Sequence, residues 1–390
     1  MTNANNKTLL FVGGCVNCLL CAVSAMIIPS VGALVEKEMN ITHSLFGLII
    51  SMLIAGAMCG CILFLTLSGS KWPARLTRTG IAALVFANLV STMPFLAALV
   101  IGRFLIGFAW GCAAMSITLV LVQHFPRNLH NLFCFFNAIL CVGQGLGMYL
   151  TPLASRAFGR WQSFSLLMAG ISGVLLAASF LRPLNITTEK RAAFIPAFLR
   201  CVMQKRVALM IALLAVYCIV ETGVSYYFAV CAKMEKGLSL LQASRIVALF
   251  VVGIAVGRLM AAGWMRNKPT ILTIAGLILT GGALLLAGIL APGYFVPAGA
   301  LFLSGVFFAP VYPLGLAYAV NLTSENKDMV VPAGNVVIQF TAVFGLLAIG
   351  WIGDLSSLRL GIGLFCCLLI VAAVVAGVAG RKPEPPMVTY

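Results

Sequence analysis

One carboxylate stands where charge is costly. Glu221 lies in the middle of the apolar stretch Val207–Cys231, VALMIALLAVYCIVETGVSYYFAVC. That stretch is long enough to cross a bilayer, which takes about 20 helical residues at ~1.5 Å each. An ionised side chain at the bilayer centre costs at least ~2.5–3.5 kcal/mol, so Glu221 needs a partner, a water-filled cavity or a proton. The functional reading is a pathway-facing carboxylate that takes up and releases a proton. The structural reading is a protonated glutamate hydrogen-bonded between helices. Arg103, in ALVIGRFLIGFAWGCAA, is the matching charge. It falls about 13 Å into its span, and Glu221 about 15 Å in from the same side, at ~1.5 Å per residue. The two could pair directly, pair through a ligand, or never meet.

Polar and amphipathic side chains in other spans are candidates to bind a small polar solute. They are Asn17, Trp110, Gln144, Tyr217, Tyr226, Tyr227, Tyr312, Asn335 and Gln339. A sugar-type ligand wants hydroxyl partners and an aromatic face, yet the same residues also serve as interhelical hydrogen bonds or interfacial anchors. Pro310 and Pro313, in SGVFFAPVYPLG, should break their span and free backbone carbonyls, as tolerated where backbone lines a cavity. His43, His124 and His130 sit at span ends and read as solvated. Cys15, Cys18 and Cys21 are spaced as in an iron–sulfur run, but on a helix they line one face, and no fourth ligand follows. Neither a metal, a cofactor nor a structural disulfide is expected.

These residues must be positioned by membrane helices. The chain is 62% hydrophobic and 9% charged over 390 residues, with mean hydropathy +1.09, whereas a soluble domain carries ~25% charge. Its nine acids are Glu36, Glu38, Glu189, Glu221, Glu235, Glu325, Asp328, Asp354 and Glu384, and only Glu221 lies deep in an apolar run. The net charge of +16 sits in short loops rather than on one patch, which argues for topogenic charge and against nucleic acid. The N-terminal apolar run is full length and reads as a retained first helix.

Twelve apolar spans can be read: 8–34, 44–68, 77–94, 95–122, 131–154 and 162–181, then 207–231, 241–264, 270–291, 294–319, 330–351 and 359–380. A first unit therefore covers 1–181 and a second 207–390. The basic, proline-containing segment 182–206 joins them as a linker with a surface helix at 195–204. Of the 25 Lys and Arg, Lys37, Arg156, Arg160, Lys233, Lys236, Arg245 and Arg359 fall on one side, Arg103 falls within a span, and Arg258 is borderline. The remaining majority shares the side of both termini and the linker, making that side cytoplasmic. Glycines echo between the units: Gly56 and Gly60 with Gly253 and Gly257, Gly107 with Gly305, and Gly145 with Gly345. Small residues there would let helices approach closely.

Six plus six helices, parallel halves and a basic central linker resemble the major facilitator superfamily over the whole chain. Arg103 followed by Gly107 is similar to the superfamily's fourth-helix pattern. GSKWPARLTRTG resembles its loop after the second helix, keeping Gly69, Arg75 and Arg78 and lacking the acid; GWMRNKP in the second half lacks it too. Span 5 has GQGLGMYLTP, loosely similar to a Gly-rich exporter motif without its Gly-Pro pair. YCIVETGVSYYF and the following GLSLLQASRIVALFVVGIAVGRL are similar to the sugar-transporter-like, fucose-permease branch at Tyr217, Glu221, Gly257 and Arg258, although that branch's acids in helices 1 and 4 have no counterpart. The resemblance implies an all-α membrane protein of twelve helices in two pseudo-symmetric halves. It implies gating roles for Arg75, Arg78 and Arg258 beside those of Pro310 and Pro313. In this superfamily the residue matching Arg103 often binds carbonyls of a neighbouring helix.

No P-loop, H-E-x-x-H or soluble catalytic domain is present, and nothing resembles a selectivity filter. The expectation is thus a monomeric secondary transporter in a bacterial inner membrane. It would move a small polar solute, sugar-like or another metabolite, with protons as coupling ion. The alternative is a proton-driven exporter of drugs, siderophores or metabolites.

Overall fold

The computed structural model describes residues 2–67, 72–125, 129–181, 200, 202–264, 270–323 and 327–379. Among the described residues the architecture is helical throughout. The first half contains α1 (Thr2–Ser30), α2 (Gly32–Met39), α3 (His43–Thr66), α4 (Trp72–Val90), α5 (Leu96–His124), α6 (Leu129–Phe158) and α7 (Gln162–Leu181). The second contains α8 (Lys205–Met234), α9 (Leu240–Trp264), α10 (Ile271–Leu290), α11 (Phe295–Phe308), α12 (Val311–Asn321), α13 (Lys327–Leu355) and α14 (Leu358–Ala379). The linker and its expected surface helix lie for the most part outside the described residues.

Eleven stretches among the described residues are long and apolar enough to span a membrane. The third expected span is α4, 19 residues long, which begins earlier than the hydrophobic pattern suggests and carries Arg75 and Arg78 in its first two turns. That polar start keeps α4 below the hydropathy of the others. The tenth span is divided as its prolines predict, with α11 ending at Phe308 and α12 starting at Val311. Proline has no N–H to continue the ladder and clashes with the preceding turn. The first span stops at Ser30, and a short helix, α2, follows over the remote end of the bundle.

Within the first half, α3 and α4 pack on α5, and α1 packs on α5 and α6. In the second half, α9 and α10 pack on α11, and α8 packs on α13 and α14. The halves meet where α3 lies against α13 and α6 against α9, two contacts that exchange when the halves are interchanged.

The glycine echo has a physical basis in two of its three parts. A Cβ on Gly56 would fall on the carbonyl of Phe104, one on Gly60 on that of Phe108, and one on Gly107 on that of Leu53. In the second half, Gly253 lies against the carbonyl of Phe302, Gly257 against that of Val306, and Gly305 against that of Phe250. The backbones of α3 and α5, and of α9 and α11, therefore touch where a side chain would not fit. The third pair differs in kind. A Cβ on Gly145 would meet the Val252 side chain across the interface at an ordinary 3.7 Å, whereas one on Gly345 would clash with Ile219 of its own half.

Candidate functional site

Glu221 projects from α8 one turn after Tyr217, and its partner is Arg258 of α9 rather than Arg103. The Arg258 Nη2 to Glu221 Oε1 distance is 3.7 Å, a loose ion pair beyond ordinary hydrogen-bond length. From the opposite half, Cys141 of α6 accepts from Arg258 Nη1 at 3.1 Å. The two charged side chains keep 16% and 20% of their surface accessible. Because Cys141 reaches Arg258 from the opposite half, the pair stands beside the meeting of α6 with α9.

Arg103 is engaged elsewhere. It is fully buried and donates to the carbonyls of Ser24, at 3.1 Å, and Ala25 on α1. Depth along a helix had matched it with Glu221, but its side chain turns toward α1. Tyr226, buried on α8, is close enough to feel its charge across the interface.

Around the Glu221–Arg258 pair the proline break supplies structure. The Tyr217 hydroxyl donates to the carbonyl of Phe308 at 2.9 Å, and the two rings pack edge to face at 5.5 Å. That carbonyl belongs to the last residue of α11, where the ladder is interrupted. Tyr217 thus satisfies a group that the break frees. Tyr312, between the prolines, donates to Asn335 Oδ1 of α13. Tyr217 and Tyr312 both stand within electrostatic reach of Arg258 and Glu221. Cys61 of α3 lies near Tyr312 from the other half.

The remaining candidates are scattered. Asn17 is buried on α1 beside Cys21, 3.9 Å from its thiol. Trp110 is partly buried against the core, and Gln144 is partly buried on α6. Gln339, one turn beyond Asn335, has a buried Oε1 without a hydrogen-bond partner. Arg75 is exposed over the Trp72 ring at 5.6 Å, and Arg78 donates to the carbonyl of Ser179 at 3.1 Å, so both serve the α4 region.

The remote end of the bundle carries a second polar group that sequence reasoning did not find. Asp354, at the end of α13, accepts from the backbone N–H groups of His43 at 2.7 Å and Ser44 at 2.9 Å, and from the Ser44 hydroxyl. His43 Nδ1 meets Glu36 Oε1 at 2.9 Å, so His43 is paired rather than solvated. Burial pushes the Glu36 carboxyl above its ordinary range, with His43 opposing and Asp354 reinforcing the shift. Ser244 donates to the carbonyl of Ser30 at 2.8 Å, Ser51 to that of Val343 at 3.1 Å, and Arg245 lies over the Tyr149 ring at 5.4 Å. Every one of these contacts crosses between the halves except His43 with Glu36. A cavity of about 420 Å³ beside them is lined by Glu36, Lys37, His43, Lys233 and Asp354 among others. The signal available in the sequence was a helix start at Thr42 with no acid in its first turn.

No match is found among curated proteins. Solved structures do resemble the chain. A bacterial homologue of the human lysosomal transporter Spinster, inward-facing and unoccupied, superposes with a TM-score of 0.75 at 11% identity, covering 96% of this chain and 97% of that one. The nucleoside transporter NupG gives 0.75 at 12% identity, covering 96% and 100%. At such identities the likeness speaks for the fold alone. The sequence model of the Major Facilitator Superfamily matches residues 13–330. That match spans most of the chain, and with the fold it makes the molecule a multi-pass membrane transporter of small solutes rather than an enzyme. The chain belongs to the major facilitator superfamily.

Proposed function

We propose that the chain is a secondary active transporter that moves a small polar solute by alternating access, coupled to protons. The observation that carries this reading is the loose, partly accessible Glu221–Arg258 pair beside the meeting of α6 with α9. Rocking of the halves would take Cys141 away from Arg258 and change the water around the pair, so Glu221 would have a different proton affinity in the two states, and coupling requires that difference. The contacts from Asp354, Ser244 and Ser51 hold the remote ends of the halves together, which suits a state open toward the termini.

Accumulation of solutes by cells overproducing the chain tests coupling. Uphill uptake should collapse with a protonophore and in Glu221→Gln, which keeps size and removes charge, while downhill exchange and expression survive. Uphill uptake at wild-type levels in the variant rules out Glu221 as the proton carrier.

The orientation proposed from basic residues puts both termini and the 182–206 linker in the cytoplasm of a bacterial cell. On a background without native cysteines, a Thr188→Cys protein should resist impermeant thiol reagents added outside; labelling from outside reverses the topology.

A further inference from the structure

We propose that the solute is a small organic anion whose carboxylate or phosphate oxygens dock on Arg258, displacing Glu221 as the internal anion. The proposal rests on the reading of the Glu221–Arg258 region as the transport site.

The charge inventory points that way. Arg78 and Arg245 lie in the first turns of their spans, which leaves Arg103 and Arg258 as the guanidiniums farther inside, and Glu221 is the sole carboxylate deep in them. With Glu221 ionised, the interior holds one surplus positive charge; with Glu221 protonated, it holds two. In a low-dielectric interior such a surplus is stabilised by an anion arriving from outside. A neutral sugar leaves the surplus in place, and a cation enlarges it.

The hydrogen-bond inventory agrees. Arg103 spends its donors on the carbonyls of Ser24 and Ala25. Arg258 does not spend its own. A guanidinium has five N–H donors, and its partners here are a carboxylate 3.7 Å away and a thiol, which is a weak acceptor. Nearby, Tyr217 gives its proton to Phe308 and Tyr312 gives its proton to Asn335 Oδ1, leaving the Asn335 amide N–H groups as donors. The donors left unspent in the region are therefore those of Arg258 and of the Asn335 amide, and the Arg258 fork is the charged one. A ligand presenting two oxygens in a plane matches the guanidinium fork, forming stronger, charge-assisted bonds than the loose Glu221 contact. Because Glu221 and the ligand compete for one guanidinium, protonating Glu221 would favour ligand binding. Proton and anion would then load together.

Charge-matched probe pairs test this on the purified full-length chain, read by thermal shift. The pairs are gluconate with sorbitol, lactate with propane-1,2-diol, benzoate with benzyl alcohol, and glycerol 3-phosphate with glycerol; choline serves as cation. The expected result is dose-dependent stabilisation by one or more anions and by none of their neutral twins. The carboxylate and phosphate arms tell the two sources of anionic oxygen apart. Glu221→Gln removes the competitor and should lower the anion's half-maximal concentration by about tenfold, whereas Arg258→Gln should abolish the shift. If Arg258→Gln does not fold, the direction of the Glu221→Gln effect decides alone, since a cationic solute would lose affinity there. Equal stabilisation by a neutral twin, stabilisation by choline, or silence from every anion overturns the proposal. A neutral probe whose effect still depends on Glu221 would overturn the anion class and leave the transport-site reading standing.

Discussion

The carboxylate of Asp354 receives the backbone N–H of His43 at 2.7 Å across 311 residues of chain, so the last turn of α13 caps the first turn of α3. Helix starts leave N–H groups without intrahelical partners and favour negative charge. Thr42 answers one of these groups, accepting from Leu45 at 3.3 Å, and Asp354 answers two more from the other half. Glu235 does the same for α14 within its own half, accepting from Leu358 at 2.7 Å. The first of these arrangements breaks whenever the remote ends of the halves part; the second does not.

Asp354→Ala should therefore favour parting. Losing such a cap is worth about 1 kcal/mol, or roughly fivefold in population. Labelling of an introduced cysteine at Ala33, beside the remote cavity, should become several-fold faster than in the Asp354 parent. Equal rates would show that this cap does not hold the end closed.

Glu36 predicts a pH dependence with a definite sign. Its carboxyl is raised above the ordinary value here by burial, against the opposing His43 and with Asp354 reinforcing; Lys37 and Lys233 line the same cavity. A raised group binds its proton more tightly in the folded, closed arrangement than when exposed. Its stabilising contribution is thus complete below the ordinary glutamate range and is lost as pH rises through the raised value. The melting-temperature advantage of wild type over Glu36→Gln should shrink as pH rises through that window. An advantage growing with pH would mean that the His43 ion pair outweighs burial.

Gly107→Ala should be severe for so small a change. The added methyl would land on the Leu53 carbonyl, forcing α3 from α5 at a cost of about 1–3 kcal/mol. Gly170→Ala on α7, which meets nothing within 4 Å, should be neutral or stabilising by up to about 1 kcal/mol. Thermal melting of both proteins separates close approach from helix propensity.

Replacing Pro310 and Pro313 together by Ala should let α11 and α12 join. Insertion should be normal, because an uninterrupted helix satisfies its own backbone. Solute exchange should fall several-fold, since Tyr217 and Tyr312 are both anchored through the break. Unchanged exchange would make the break a packing feature.

The features legible in the residues alone were local or periodic in nature. Apolar runs marked the spans because a bilayer demands about 20 apolar helical residues, and prolines marked the break because the missing N–H acts within one turn. The glycine echo at Gly56, Gly107, Gly253 and Gly305 was legible because repeated halves repeat their close approaches. Glu221 was legible because charge in an apolar run is costly wherever the helix goes. Its partner was not. Rise per residue gives depth, and by depth Arg103 matched; which side of a helix faces which neighbour is set by packing, and packing turned Arg103 to the carbonyls of α1 and Arg258 to Glu221. The meeting of Asp354 with His43 was likewise decided only by tertiary structure, because it depends on two helix ends brought together from opposite halves, and neither end carries a local mark of the other.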